Sequence, residues 1–265
     1  MEKVILTVAD VVDHTSYIAK SRASIEALKS ANLLKSVTVN ALILGESGVG
    51  KQTLASHIIS APIVDASAFN ELLLLIETNS SLIVKNFHTI TNHAKLRTAL
   101  DIYKTRIIAT ANVSVSESII DEFFSLKIVI PPLREREEDI MPLMEKFALE
   151  ACTMFNEKFS QIPSLNEMIP DLTNNCYSLK RSVYNAYLMY SFKEEEILTI
   201  MEYYLSQRIG GKNDYRDLLY LFDIPMIKSG FTKFGSQLAI SEKFGLNRNT
   251  LRKKINDYKD KLKID

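Results

Sequence analysis

The apolar run Val37-Thr-Val-Asn-Ala-Leu-Ile-Leu44 leads directly into Gly45-Glu-Ser-Gly-Val-Gly-Lys51, and a helix-prone stretch follows at 52–59. A β-branched strand, a glycine-rich turn and a helix in that order confine this part of the chain to an α/β unit with a phosphate-binding loop. Glycines at 45, 48 and 50 let successive backbone N–H groups turn inward around phosphate oxygens. Lys51 is placed to reach the terminal phosphates, and the N-terminus of the following helix adds positive potential. An ordinary glycine-rich strand–helix turn is the plainer alternative. It accounts for the turn but not for the lysine or the spacing.

Such a unit needs further strands and helices to bury it. Short apolar runs at 63–64, 81–84, 106–110 and 126–130 read as strands, and 21–35, 69–76, 92–103 and 116–124 read as helices. The alternation predicts a parallel sheet covered on both faces. Residues 3–13 read as a short strand and connector. From 137 to 192 the pattern is helical only, punctuated by Pro163 and Pro170, and Gly210-Gly211 marks a linker. The expected division of the 265 residues is an N-terminal connector (1–17), an α/β domain (18–135), a helical lid (136–209), a linker (210–214) and a small helical domain (215–265).

Composition narrows the partners. No apolar segment approaches the ~18 residues of a membrane span, and the N-terminus lacks the apolar core and cleavage site of a signal peptide, so the expected location is cytoplasmic. Thirty-two basic and 32 acidic residues cancel, and any nucleic-acid affinity must come from local clustering. Cys152 and Cys176 lie far apart and read as buried thiols. The four histidines show no metal-ligand spacing, and no metal site is expected.

Three strings then align with one family. Gly45-Glu-Ser-Gly-Val-Gly-Lys51, Arg106-Ile-Ile-Ala-Thr-Ala-Asn112 and Pro131-Pro-Leu-Arg-Glu-Arg-Glu-Glu-Asp-Ile140 resemble the AAA+ domain of bacterial enhancer-binding proteins, the sigma-54-dependent activators of the NtrC type. Phe244-Gly-Leu-Asn-Arg-Asn-Thr-Leu-Arg-Lys-Lys-Ile255 resembles their Fis-type helix-turn-helix. The matches follow the family's order over roughly residues 18–260. The resemblance implies ATP or ADP bound by Gly45, Glu46, Ser47, Gly48, Val49, Gly50, Lys51, Gln52 and Thr53, with Asn112 as the retained first-sensor residue.

The departures bear on catalysis. Where the family ends a strand with Asp-Glu to hold Mg²⁺ and polarise water, this chain has Lys85 and Asn86. Lysine cannot coordinate a cation, and asparagine cannot act as a general base. Lys85 is read either as a positive charge beside phosphates or as a surface lysine at a strand end. Gln52 stands after the P-loop lysine, where Thr53 offers a nearby hydroxyl, so a need for Mg²⁺ is left open. The family's sigma-contacting insertion is replaced by 70–79 alone. Ile119 and Ser125 occupy the arginine-finger positions, each finger being worth roughly 1,000- to 100,000-fold in phosphoryl transfer. Tyr177, in Asn174-Asn-Cys-Tyr-Ser-Leu179, replaces the second-sensor arginine. No catalytic residue is assigned, and negligible ATP hydrolysis is expected.

In the C-terminal module, 236–244 reads as a helix, Gly245 as the turn, Asn247 as an N-cap and 248–261 as the second helix. From Arg248 to Lys263 there are seven basic and two acidic residues. Arg248, Asn249 and Thr250 are expected at base edges, and Arg252, Lys253 and Lys254 at phosphates. The alternative is a solvated basic helix on a protein–protein module. The preceding apolar helices, with Leu218, Leu219, Leu221, Phe222, Met226 and Ile227, suggest a homodimer interface. The preferred reading is a double-stranded-DNA-binding regulator on a degenerate AAA+ scaffold, with RNA polymerase or a related regulator as a further partner. The rivals are a working AAA+ ATPase that remodels a transcription complex, and a scaffold that pairs with and tunes a complete family member.

Overall fold

A computed structural model describes residues 17–112, 115–155, 165 and 168–262. The strand expected at 3–13 lies outside the described residues. The chain forms two compact units, 1–191 and 192–265; the division falls earlier than the 209/210 boundary read from the sequence.

The first unit opens with helix α1 (Arg22–Lys35), capped by Ser21, whose hydroxyl accepts from Ser24 N. Strand β1 (Ala41–Leu44) follows. It is shorter than the apolar run suggests because Asn40 interrupts it: its side chain accepts from Ile107 N and its carbonyl from Ser125 N. Next come α2 (Lys51–Ile58), β2 (Ile63–Asp65), α3 (Phe69–Thr78), β3 (Ser81–Lys85), α4 (His93–Tyr103), β4 (Arg106–Ala111), α5 (Glu117–Phe123) and β5 (Leu126–Val129). All pairings are parallel, in the order β2-β3-β4-β1-β5.

The two-residue period of a strand sorts its side chains between the two faces. Leu42, Leu82, Val84, Ile107 and Ala109 join one core with Leu72, Ile76, Phe87 and Leu96 from the α3 and α4 side. Ala41, Ile43, Ile83, Ile108 and Ile128 join the other, against Ala31 and Leu34 of α1 and Leu54 of α2. The three central strands β1, β3 and β4 are therefore hydrophobic on both faces, which is why their runs lack alternation, whereas the edge strands β2 and β5 bury only Val64 and Ile128.

Two long helices complete this unit: α6 (Glu137–Phe155), which carries Pro142 in its second turn, and α7 (Asn175–Ser191). They pack through Met144, Phe147, Ala148, Leu179 and Val183. In the second unit the helices are α8 (Glu194–Ser206), α9 (Asp214–Leu218), α10 (Tyr220–Phe234), α11 (Gln237–Phe244), α12 (Arg248–Asp257) and α13 (Lys259–Leu262). Their core is Ile227, Ile240 and Leu251 with Phe231, Phe234, Phe244 and Ile255 around it. Among the described residues no helix is long and apolar enough to cross a membrane.

Candidate functional site

In a parallel sheet ligands collect at the carboxyl ends of the strands, where the order of connection reverses. Here β1 sits between β4 and β5, and the chain skips two positions from β1 to β2. Three adjacent strand ends converge there: the loop after β1, Lys85 and Asn86 at the end of β3, and Asn112 after β4. A cavity of about 780 Å³ opens over them. Ser47, Gly48, Val49, Gly50, Lys51, Gln52, Thr53 and Asn112 line it, as does Lys85.

Gly48 has a φ of +79°, and a Cβ there would stand 2.8 Å from Asn174 O. Only glycine fits both the left-handed backbone and that approach. Lys51 is 9% exposed. Its Nζ donates to Gly45 O at 2.8 Å, Glu46 O at 2.6 Å and Asn112 Oδ1 at 2.9 Å. Burial lowers its pKa to about 8, against a smaller opposing pull from Glu46. This is an ammonium held by neutral oxygens, poised for a stronger acceptor.

The Glu46 side chain is engaged away from the cavity lining. Its carboxylate accepts from Arg134 Nη2 at 2.7 Å and Nη1 at 3.1 Å, and from Asn175 Nδ2 at 3.0 Å. These hydrogen bonds, Arg134 first, hold its pKa down at about 2. The side chain serves as a latch on the loop's outer side, and neither Gly45 nor Glu46 lines the cavity. Asn175 completes the latch: it also donates to Ser47 O at 2.9 Å and accepts from Leu133 N at 2.6 Å, while Cys176 N donates to Gly48 O. The start of α7 is thus tied to the phosphate loop by backbone and side chain together. Tyr177 lines the cavity and remains 62% exposed.

Several contributors carry no short-range signal. Tyr17 lies against Gly50, and Leu143 and Phe147 of α6 give the wall an apolar section. Arg136 belongs to the Arg134-Glu-Arg136 string, yet its position is not evident from the string. It is 2% exposed and donates to Val49 O at 3.1 Å, Ser24 Oγ at 3.0 Å and Asp139 Oδ2 at 3.3 Å. Lys146, Glu150 and Lys180 complete the charged rim, with Lys180 Nζ 2.6 Å from Glu150 Oε2. Ile119 packs against the sheet core, and Ser125 is exposed, donating its backbone N–H to Asn40 O.

The sheet order, the P-loop and the helices on both faces define an α/β P-loop fold of the AAA+ class. No protein-family model matches the chain, and no curated protein resembles it in sequence. Among solved structures it is similar to NtrX from Brucella abortus in complex with ADP, at 15% identity and a TM-score of 0.56, over 93% of this chain and 70% of that one. The ATP complex of the same protein gives 15% identity and a TM-score of 0.54, over 94% and 69%.

In the second unit, α11 is capped by Ser236 and ends at Gly245, φ +64°, and Asn247 caps α12 by accepting from Asn249 N at 2.8 Å. Leu251 is buried, Ile255 packs beside it, and Arg248, Asn249, Thr250, Arg252 and Lys253 are exposed. Lys254 does not stand with them. Its Nζ lies 2.5 Å from Asp223 Oδ2, which also accepts from Tyr258 Oη at 3.1 Å. Asp223 is 8% exposed. Lys254 therefore neutralises a buried carboxylate of α10, and a phosphate would compete with that pair. Ile227, expected at a dimer surface, instead lies in the module's core, whereas Phe222 and Met226 are exposed.

Proposed function

We propose that this chain is a DNA-binding transcriptional regulator on an AAA+ fold, which binds ATP or ADP through its P-loop and does not hydrolyse it appreciably. One observation supports the nucleotide half above all: the cavity brings Lys51 and Lys85 together, while its one lining carboxylate among the described residues, Glu150, is paired with Lys180. Phosphates find cations and N–H donors there; an attacking water finds no free base. Purified chain is expected to give saturable ATP binding by calorimetry with no phosphate release above background. Turnover at the rate of a working AAA+ enzyme would favour the remodelling-ATPase reading instead.

The DNA half rests on the turn glycine, the cap and the exposed basic face of α12. A recognition helix presents its first turn to base edges, here Arg248, Asn249 and Thr250, while Arg252 and Lys253 suit phosphates. Arg248→Ala is expected to weaken a selected double-stranded site by about 1–3 kcal/mol and random DNA much less. Equal losses on both would make Arg248 a phosphate contact only. A homodimer through the second unit suits the exposed Phe222 and Met226 and the apolar residues of α8, none of which is buried. The same exposed surface supports the alternative of pairing with a related regulator.

A further inference from the structure

The AAA+ fold implies a divalent cation beside the nucleotide, and the residues at that place do not suit one. Mg²⁺ binds through carboxylates and water at near-octahedral geometry. At the end of β3 the chain offers Lys85 and Asn86. The nearest acidic side chain in the sheet, Asp65, is the register partner of Lys85 on β2. Both of its oxygens are occupied: Oδ1 accepts from Ser67 N at 3.0 Å and Ser67 Oγ at 2.7 Å, and Oδ2 from Asn86 Nδ2 at 2.7 Å. Asp65 does not line the cavity. Glu150 does, but Lys180 holds it. Among the described residues no cluster of three metal-ligating side chains occurs.

Lys85 is free to act where the cation would. It lines the same cavity as Lys51 and the loop N–H groups, and its ammonium makes no hydrogen bond or ion pair among the described residues beyond the field of Asp65. A second ammonium facing bound phosphates neutralises their charge as a metal does, but cannot exchange ligands or polarise water. A dication entering beside it meets repulsion and, among the described residues lining the cavity, no carboxylate but the Lys180-paired Glu150.

Building on the nucleotide reading above, we propose that the cavity binds a nucleoside polyphosphate as the metal-free polyanion, with Lys85 in the charge-neutralising place of Mg²⁺. ATP binding then survives chelation, and Mg²⁺ weakens it by drawing ATP into a complex of lower charge.

The test is calorimetry of the full chain with ATP at constant ionic strength, in EDTA and in excess Mg²⁺, on the native protein, Lys85→Met and Lys85→Asp. Thermal unfolding verifies that each variant is folded. The native protein is expected to bind at least as tightly in EDTA as in Mg²⁺. Lys85→Met should lose about tenfold or more in EDTA, the worth of one charge-assisted hydrogen bond. Lys85→Asp should reverse the order and bind better with Mg²⁺. Native binding that requires Mg²⁺, or a folded Lys85→Met with native affinity in EDTA, would overturn the proposal while leaving nucleotide binding intact. A native chain that binds ATP in neither condition would overturn the nucleotide reading itself, and this proposal with it.

Discussion

Lys51→Ala is expected to reduce ATP affinity by about 100-fold or more, since the ammonium is the central donor of the loop and charge-assisted hydrogen bonds are each worth about 1.5–3 kcal/mol. In the free protein that ammonium is shared among Gly45 O, Glu46 O and Asn112 Oδ1. Binding exchanges these neutral acceptors for phosphate oxygens, so the energy gained is the difference between the two sets. Lys51→Met, which keeps the aliphatic stem, separates lost charge from lost packing. Both variants should bind comparably weakly in calorimetry while remaining folded by circular dichroism. Affinity within tenfold of native would remove Lys51 from the site.

The same lysine gives a pH dependence. Burial lowers its pKa from 10.5 to about 8 in the folded, free protein. The folded state therefore carries fewer protons than the unfolded state between about pH 8 and 10.5, and stability rises with pH across that window. Below pH 8 the cost of the buried ammonium is present in full; above it the cost is progressively relieved. Phosphate favours the charged form and pulls the proton back. ATP affinity should thus fall as pH rises above 8, with proton uptake visible as a buffer-dependent heat. An affinity flat from pH 7 to 9.5 would contradict this.

Asp139→Ala is expected to destabilise the first unit by about 3–5 kcal/mol, because it leaves a buried guanidinium without its counter-charge. Asp139 is fully buried. Its Oδ1 accepts from Lys20 N at 2.6 Å and Ser21 N at 2.8 Å, and its Oδ2 from Ser21 Oγ, Ser24 Oγ and Arg136 Nη1. Through Arg136 the network reaches Val49 O in the phosphate loop. Burial pushes the Asp139 pKa up, but hydrogen bonds from Ser24, Ser21 and Lys20 outweigh it and hold the group below its ordinary value. The stability it contributes is present above the unfolded carboxylate pKa and is lost as pH falls through the lower folded value. Urea unfolding at pH 7 measures the loss, and a midpoint unchanged from native would show the network to be dispensable. ATP binding should weaken in the same variant, since Arg136 loses the partner that steadies it under the loop.

Much of this architecture was legible along the chain. The five strands and the helices between them fall where the apolar runs and caps suggest, because each is set by residues a few positions apart. What was not legible is where a side chain leaves its own segment. Asn40 shortened β1 by bonding to Ile107, across 67 residues of sequence. Glu46, read as a nucleotide contact, faces Arg134, and Lys254, read as a phosphate contact, faces Asp223. In each case the residue type and the local pattern were compatible with either outcome.

The chain alone determined the phosphate loop, with its glycines and lysine in fixed register, and the absence of acidic side chains at 85 and 86. Both are matters of covalent neighbourhood: backbone freedom at Gly48 and a functional group present or absent at a strand end. Only the tertiary structure decided which charges share the cavity. Lys51, Lys85, Arg136 and Lys180 come from distant stretches, and their meeting depends on how the sheet orders its strands and how α6 and α7 cover it. Whether a carboxylate is free to hold a metal is likewise a property of its partners in space. Asp65 and Glu150 are both present in sequence, and both are spoken for by neighbours that folding supplies.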